Sequence, residues 1–442
     1  MNQDILTQKA QATRDVAVFR RWPLSHVLSL KCIKNPQLLF WLALIWTVLT
    51  LPACSLQEIN RQSNALASTG MISGEVVVQG EVSDPIYVQL YSRDNGVIKL
   101  IDKNTLQPNG RYLFAVLPGT YSMATFIDSD ADGEYLAGHW ATYYGQTEIE
   151  PASVVIEADE EVEVPLLVIQ GPITLPVRSD VMAQLGKHTE NIGRVVSLDD
   201  AMFGRDVASM GLWRPLDFVE QVGGGLLLLQ EYDKNKIPLL LVHGMGGTSA
   251  EFAEIVTSID HHKYQPWVLY YPSGANLDLI SDYMLEALQQ LSHKYQFKQL
   301  GIIAHSMGGL MIRSYVMKQQ LSESPYALKF MVTINSPLYG MESAASGVKN
   351  SPIVIQAWVD VARDSAYVKR VHSWAWPDSI PYHLVFSYLP GEDGDGVVPL
   401  NSQLSQSLQR EASQIHGFEA QHAEILKQPI FLDKLNEILD GF

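Results

Sequence analysis

Cysteine is nearly absent: the 442 residues contain two, Cys32 and Cys54, both in or beside an N-terminal apolar stretch. That excludes a disulfide framework for the folded remainder. Positive charge is also short. The formal net charge is −17, and residues 1–53 hold six Lys/Arg against two Asp/Glu, so the rest of the chain is more acidic still. A surface of that sign repels nucleic acid, and none is expected as a partner. Long low-complexity tracts are missing, and a composition of 47% hydrophobic and 18% charged residues rules out a mostly disordered chain. The length suggests two or three compact units.

What is present begins with an export-type leader. A basic stretch, Arg20, Arg21, Lys31 and Lys34, precedes the apolar run Leu38 to Leu51, which is shorter than the ~20 residues of a membrane-spanning helix. It ends in Leu51-Pro52-Ala53-Cys54, with a small residue just before the cysteine. Residues 1–53 are therefore expected to be a signal removed before Cys54. The tetrapeptide resembles the lipobox of bacterial lipoproteins. That resemblance implies that Cys54 is acylated and anchors the chain to a membrane of the cell envelope, facing the periplasm or exterior. Ser55, not being an aspartate, implies sorting to an outer membrane. The alternative is an uncleaved single-pass anchor. Residues 54–70, polar and small with little apolar periodicity, are expected to be a tether.

From 71 to 170, short alternating or β-branched runs such as Gly74–Val78, Ile86–Tyr91, Tyr112–Val116 and Tyr121–Ile127 are separated by turn signals such as Asp94-Asn95-Gly96 and Leu117-Pro118-Gly119. This spacing, with no helical run, predicts a small antiparallel β-sandwich. Asn109-Gly110-Arg111-Tyr112-Leu113-Phe114 followed by Leu117-Pro118-Gly119-Thr120-Tyr121 resembles the prealbumin-type, carboxypeptidase regulatory-like domains. Within this region Asp128-Ser129-Asp130-Ala131-Asp132-Gly133-Glu134 has the first half of a calcium-binding loop, so Asp128, Asp130 and Asp132 are candidate calcium ligands. Loop position twelve, which needs a bidentate acid, is His139, and acidic turn residues alone also explain the string. No other cofactor is expected.

Residues 170–236 are a transition of mixed character, and from Ile237 the pattern changes, within a second domain expected over residues 190–442. Continuous apolar runs at Ile237–Val242, Trp267–Tyr271, Gly301–Ala304 and Phe330–Ile334 read as buried strands of a mostly parallel sheet. Leu277, Ile280, Met284, Leu288 and Leu291 put an apolar stripe on a helix between two of them. The alternation predicts a doubly wound α/β domain. Arg194–Leu198 and Gly225–Tyr232 look like strands that lead into it.

Four segments of this domain carry chemistry. Ala304-His305-Ser306-Met307-Gly308 joins a buried strand to a helix with a serine at the junction, and small residues stand two before and two after it, as a sharp turn requires. Val242-His243-Gly244-Met245-Gly246-Gly247 follows another buried strand. It suits one of the two backbone N–H donors that stabilise an oxyanion, and its lack of a Lys-Ser/Thr ending argues against a phosphate loop. The third segment is Glu392-Asp393-Gly394-Asp395-Gly396-Val397-Val398-Pro399, after the strand His383–Tyr388, and the fourth is Ala420-Gln421-His422-Ala423-Glu424 before the terminal helix. Ser, Asp and His occur in that order.

Together these segments, over residues 237–426, resemble the lipase and esterase branch of the α/β-hydrolases, including the inositol deacylases. The resemblance implies a catalytic triad of nucleophile Ser306, acid Asp395 and base His422, with Met245 and Met307 as oxyanion-hole donors and His243 as a structural residue of its turn. Asp393 is the rival acid and His416 the rival base. Ser336, followed by Pro337, has no helix behind it to make an elbow. The apolar, aromatic stretch 341–381 is either a cap over the site or ordinary helix packing on the sheet. The function implied is hydrolysis of carboxylic esters, with an acyl or lipid ester as substrate. Acyl transfer or deacylation in the cell envelope, or an inert envelope-binding module, are the alternatives. Nothing in the sequence assigns the oligomeric state.

Overall fold

In β1 (Gly70–Val78) every second residue is buried, as a strand with one wet face requires. It pairs antiparallel with β4 (Arg111–Val116) and parallel with the short β8 (Glu161–Glu163) and β9 (Leu167–Ile169). A second sheet has β3 (Val97–Leu106), β2 (Ile86–Asp94), β5 (Gly119–Ile127) and β6 (Ala141–Tyr143) in that order, with β7 (Val154–Ile156) also on β5, all antiparallel. Ile72, Val76, Val88, Leu90, Phe114 and Met123 fill the space between the sheets and are fully buried. This is the expected sandwich, with two parallel pairings at β1. The computed structural model describes residues 56–94, 97–106, 110–130, 135–136, 138–146, 151–175, 191–321 and 324–442. The leader, Cys54 with its expected acylation, and Asp132 lie outside the described residues.

The C-terminal domain is built on seven strands in the order β10 (Gly225–Leu228), β12 (Tyr264–Tyr270), β11 (Ile237–Val242), β13 (Gln299–His305), β14 (Ala327–Ile334), β15 (Tyr382–Tyr388) and β16 (Gln414–Glu419). Only β10 is antiparallel to its neighbour. Successive side chains go to opposite faces and both faces are covered, so the strands are apolar without a break. Leu240, Val242, Trp267, Leu269, Ile302 and Ala304 face one core, under the helices Leu277–Tyr295 and Met307–Leu321. Leu239, Leu241, Val268, Tyr270 and Ile303 face the other, under the helices Ala253–Ser258 and Pro429–Asp440. Each fully buried Leu or Ile contributes roughly 1.5–3 kcal/mol through apolar burial, so the center of the sheet is a rigid platform. Every parallel strand ends on the same edge, and the loops leaving that edge carry the site.

Two expectations need correction, and one open alternative is decided. Residues 56–67, taken as part of a tether, form a helix that docks on the C-terminal domain. Its inward stripe is Ile59, Gln62, Ser63 and Leu66, at helical spacing, but the two fully enclosed members are polar, so hydropathy alone does not reveal it. Gln62 accepts from the backbone N–H of Leu216 at 3.1 Å and donates to Asp217 at 2.6 Å, and Ser63 donates to the Val354 carbonyl. Arg194–Leu198 is not a strand: Val195 makes one isolated bridge with Leu228 before the chain turns at Asp199-Asp200. Within 341–381, the helices Gln356–Val361 and Ala366–His372 bury Ala357, Val361, Tyr367, Val368 and Val371 in the core, which is helix packing. The helix Glu342–Asn350 alone buries no residue. Among the described residues no helix is long and apolar enough to cross a membrane.

Candidate active site

β13 ends at His305, and Met307 opens the next helix, so Ser306 alone makes the turn between them. Its φ is 54°, in the left-handed region that costs a non-glycine residue about 1 kcal/mol or more. The turn is held by a hydrogen bond from the Ser306 N–H to the Ile334 carbonyl at 2.8 Å. The crowding that selects small neighbors is visible: a Cβ on Gly308 would come within 2.6 Å of the His243 carbonyl oxygen, and one on Gly244 within 2.6 Å of the Ser306 Cβ.

Ser306 Oγ lies 2.9 Å from His422 Nε2, and His422 Nδ1 lies 2.7 Å from Asp395 Oδ2. Asp395 is 1% exposed, and its other oxygen accepts the N–H groups of Val397 at 2.9 Å and Val398 at 2.7 Å. The carboxylate is thus fixed by its own loop and turned toward the imidazole. A hydroxyl, an imidazole and a buried carboxylate in series can move a proton from the hydroxyl while the carboxylate stabilizes the cation that forms. The rivals are elsewhere. Asp393 is exposed on the same loop, and His416 sits on β16 stacked against His383 at 5.9 Å, where burial pushes both imidazoles below their usual pKa, that of His383 to about 4. Ser336 is buried against Gly309.

The N–H groups of Met245 and Met307 have no acceptor among the described residues. Met307 lies at the first turn of its helix, where N–H groups are unsatisfied by construction. The Met245 loop is shaped by Gly246, whose N–H donates to Ser273 Oγ at 2.9 Å. His243 is fully buried, stacks on Tyr271 at 4.3 Å, and donates from Nδ1 to the Gly244 carbonyl at 2.9 Å. Burial lowers its pKa.

Sequence reasoning missed three side chains. His305 Nδ1 lies 2.9 Å from Glu251 Oε1, its Nε2 lies 3.1 Å from the His422 carbonyl oxygen, and Asn335 Nδ2 donates to the same oxygen at 2.9 Å. Burial pushes the Glu251 carboxyl up, but the facing His305, helped by His243 and the Thr248 amide, brings it below the usual range. Thr248-Ser249-Ala250-Glu251 is a helix capping box, with the Thr248 hydroxyl accepting from the Ala250 N–H, so a capping search would have found Glu251. Asn335 has φ 50°, which suits an asparagine in a tight turn. As for calcium, Asp128 is 2% exposed and Asp130 lies 3.6 Å from His139. Among the described residues no three side chains are grouped to hold a metal.

Residues 272–439 match the family described as "Alpha/beta hydrolase of unknown function (DUF915)". The C-terminal domain has the α/β-hydrolase fold. No curated protein matches the sequence. Among solved structures, this chain is similar to the lipase BlEst2 of Bacillus licheniformis in its mature form, at 14% identity, 48% of this chain, 94% of that one and a TM-score of 0.39. It is also similar to the lin2722 product of Listeria innocua, at 17%, 47%, 95% and 0.38. A monoacylglycerol lipase of Paleococcus ferrophilus is similar at 14%, 46%, 91% and 0.32.

Proposed function

We propose that the protein is a serine esterase that cleaves carboxylic esters through an acyl-enzyme on Ser306. The observation that carries this reading is the hydrogen-bonded series Ser306–His422–Asp395 at 2.9 and 2.7 Å, with the serine on a strained turn. As Ser306 Oγ bonds to the ester carbon, its proton passes to His422 Nε2 and the carbonyl electron pair moves onto oxygen, where the Met245 and Met307 N–H groups receive it. The C–O bond to the alcohol then breaks, and the leaving oxygen takes the proton from His422. Water repeats the sequence and frees the acid. No metal is needed for any step.

An acyl or lipid ester is the substrate we favor. Val397, 58% exposed and two residues from Asp395, and Tyr339, 38% exposed in the loop after β14, give the strand-end side an apolar surface. With the lipobox at Cys54 we place the enzyme at the cell envelope, lipid-anchored; mass spectrometry of the mature N-terminus checks this, and an unmodified or uncleaved leader rejects it. For the chemistry, the purified full chain should release p-nitrophenol from short or medium acyl esters. Ser306→Ala should lower kcat by about 10⁴-fold or more and abolish labeling by a fluorophosphonate. Full turnover by that variant overturns the assignment.

A further inference from the structure

We infer that Glu251, His305 and Asn335 form a positioning clamp on the main chain of His422, resting on the reading of His422 as the base. The clamp works on the backbone and not on the imidazole. The His422 carbonyl oxygen takes two donors, His305 Nε2 from the end of β13 and Asn335 Nδ2 from the end of β14, and the His422 N–H donates to the Asp395 carbonyl at 3.1 Å in the loop after β15. One residue is thereby tied to the loop ends of three neighboring strands. Such multiple fixing holds a side chain to the fraction of an ångström that proton transfer from Ser306 requires.

His305 is enclosed, its side chain 4% exposed, and its ring lies 4.8 Å from that of His422. Its two nitrogens meet a carboxylate oxygen and a carbonyl oxygen, and both of these only accept. Glu251 therefore fixes the plane of the ring from behind, so that Nε2 points at the His422 carbonyl. Glu251 also belongs to the turn that follows the Met245 loop, and the same carboxylate stands against Gly247, where a Cβ would come within 2.6 Å of Oε2. The pair thus links the oxyanion loop, the elbow and the base loop through one buried contact.

The test compares His305→Leu, which cannot donate, with His305→Gln, whose amide can reach the same carbonyl. Turnover is normalized to the sites titrated by a fluorophosphonate, which removes any misfolded fraction. His305→Leu should lose about 100-fold in kcat with KM nearly unchanged, and His305→Gln should recover most of it. Glu251→Ala should show a smaller loss in the same parameter, and decides the matter if His305→Leu does not fold. Wild-type kcat in His305→Leu, or equal loss in the leucine and glutamine variants, would overturn the clamp. Backbone hydrogen exchange over residues 420–424 reads the clamp without activity: faster exchange in Glu251→Ala supports it and unchanged exchange rejects it. If the wild type hydrolyzes no ester, the esterase reading fails while the exchange measurement still judges the clamp.

Discussion

Asp395 divides its two oxygens between two tasks. Oδ1 holds its own loop through the N–H groups of Val397 and Val398, while Oδ2 faces His422. Asp395→Asn can keep Oδ1 in place but turns an NH₂ group toward Nδ1, which forces the imidazole into the tautomer whose proton faces the serine. The fold should survive while kcat falls by about 10⁴-fold, measured beside an unchanged thermal midpoint; a variant that keeps its turnover would show that the carboxylate does not act through the imidazole. At this scale, the meeting of Ser306, His422 and Asp395 was legible because local rules mark each: small residues flank the serine, and the acid and the histidine each follow a strand. His305, Glu251 and Asn335 were not, because their meaning lies in contacts across 54 and 87–117 positions of chain that no local pattern records.

The helix Leu277–Tyr295 was readable from its apolar stripe, and its start is reinforced by an element that was not. Asp360, at 7% exposed on the helix Gln356–Val361, accepts the Leu277 N–H at 2.7 Å in addition to the Asn276 cap. Burial pushes its pKa up to about 7, with the neighboring Asp278 adding and the Leu277 N–H and Arg370 opposing. In the unfolded chain an aspartate titrates near 4. The folded acid therefore keeps a proton that the unfolded one has lost, and the stability from this site is complete below about pH 4 and declines as pH rises to about 7. Asp360→Asn removes the titration, so its thermal midpoint relative to wild type should climb between those pH values and level off above them. Parallel midpoint curves would show that this carboxyl does not couple to folding. The stretch 341–381 was ambiguous in sequence because a cap and a packing layer both need apolar helices, and only the partners of Ala357 and Val371 distinguish them.

Across the molecule, residues 56–442 form one compact unit although the sandwich and the α/β domain keep separate cores. A cavity of about 280 Å³ lies at their seam, between Met71, Ile101 and Leu113 on one side and Leu216, Tyr271 and Tyr283 on the other. The helix at 56–67 joins the two. Gln62→Ala would strip the acceptor from the first N–H groups of the helix Pro215–Gln221 and leave them half-buried without it, a loss of about 1 kcal/mol, read as a lower denaturation midpoint for the whole unit. No change would mean that the segment is the tether its composition suggested. Both domains were foreseen from strand spacing and alternation; their joining was not, since a polar side chain that seals a helix end looks in sequence like any surface glutamine.

The chain visits the α/β domain first with the helix at 56–67, leaves to build the sandwich, and returns at residue 191 to complete the α/β domain. A protease that nicks the segment between the two domains would therefore not separate them. The N-terminal fragment keeps its grip through Gln62, Ser63 and Leu66, so the nicked protein should travel as one species until it is denatured.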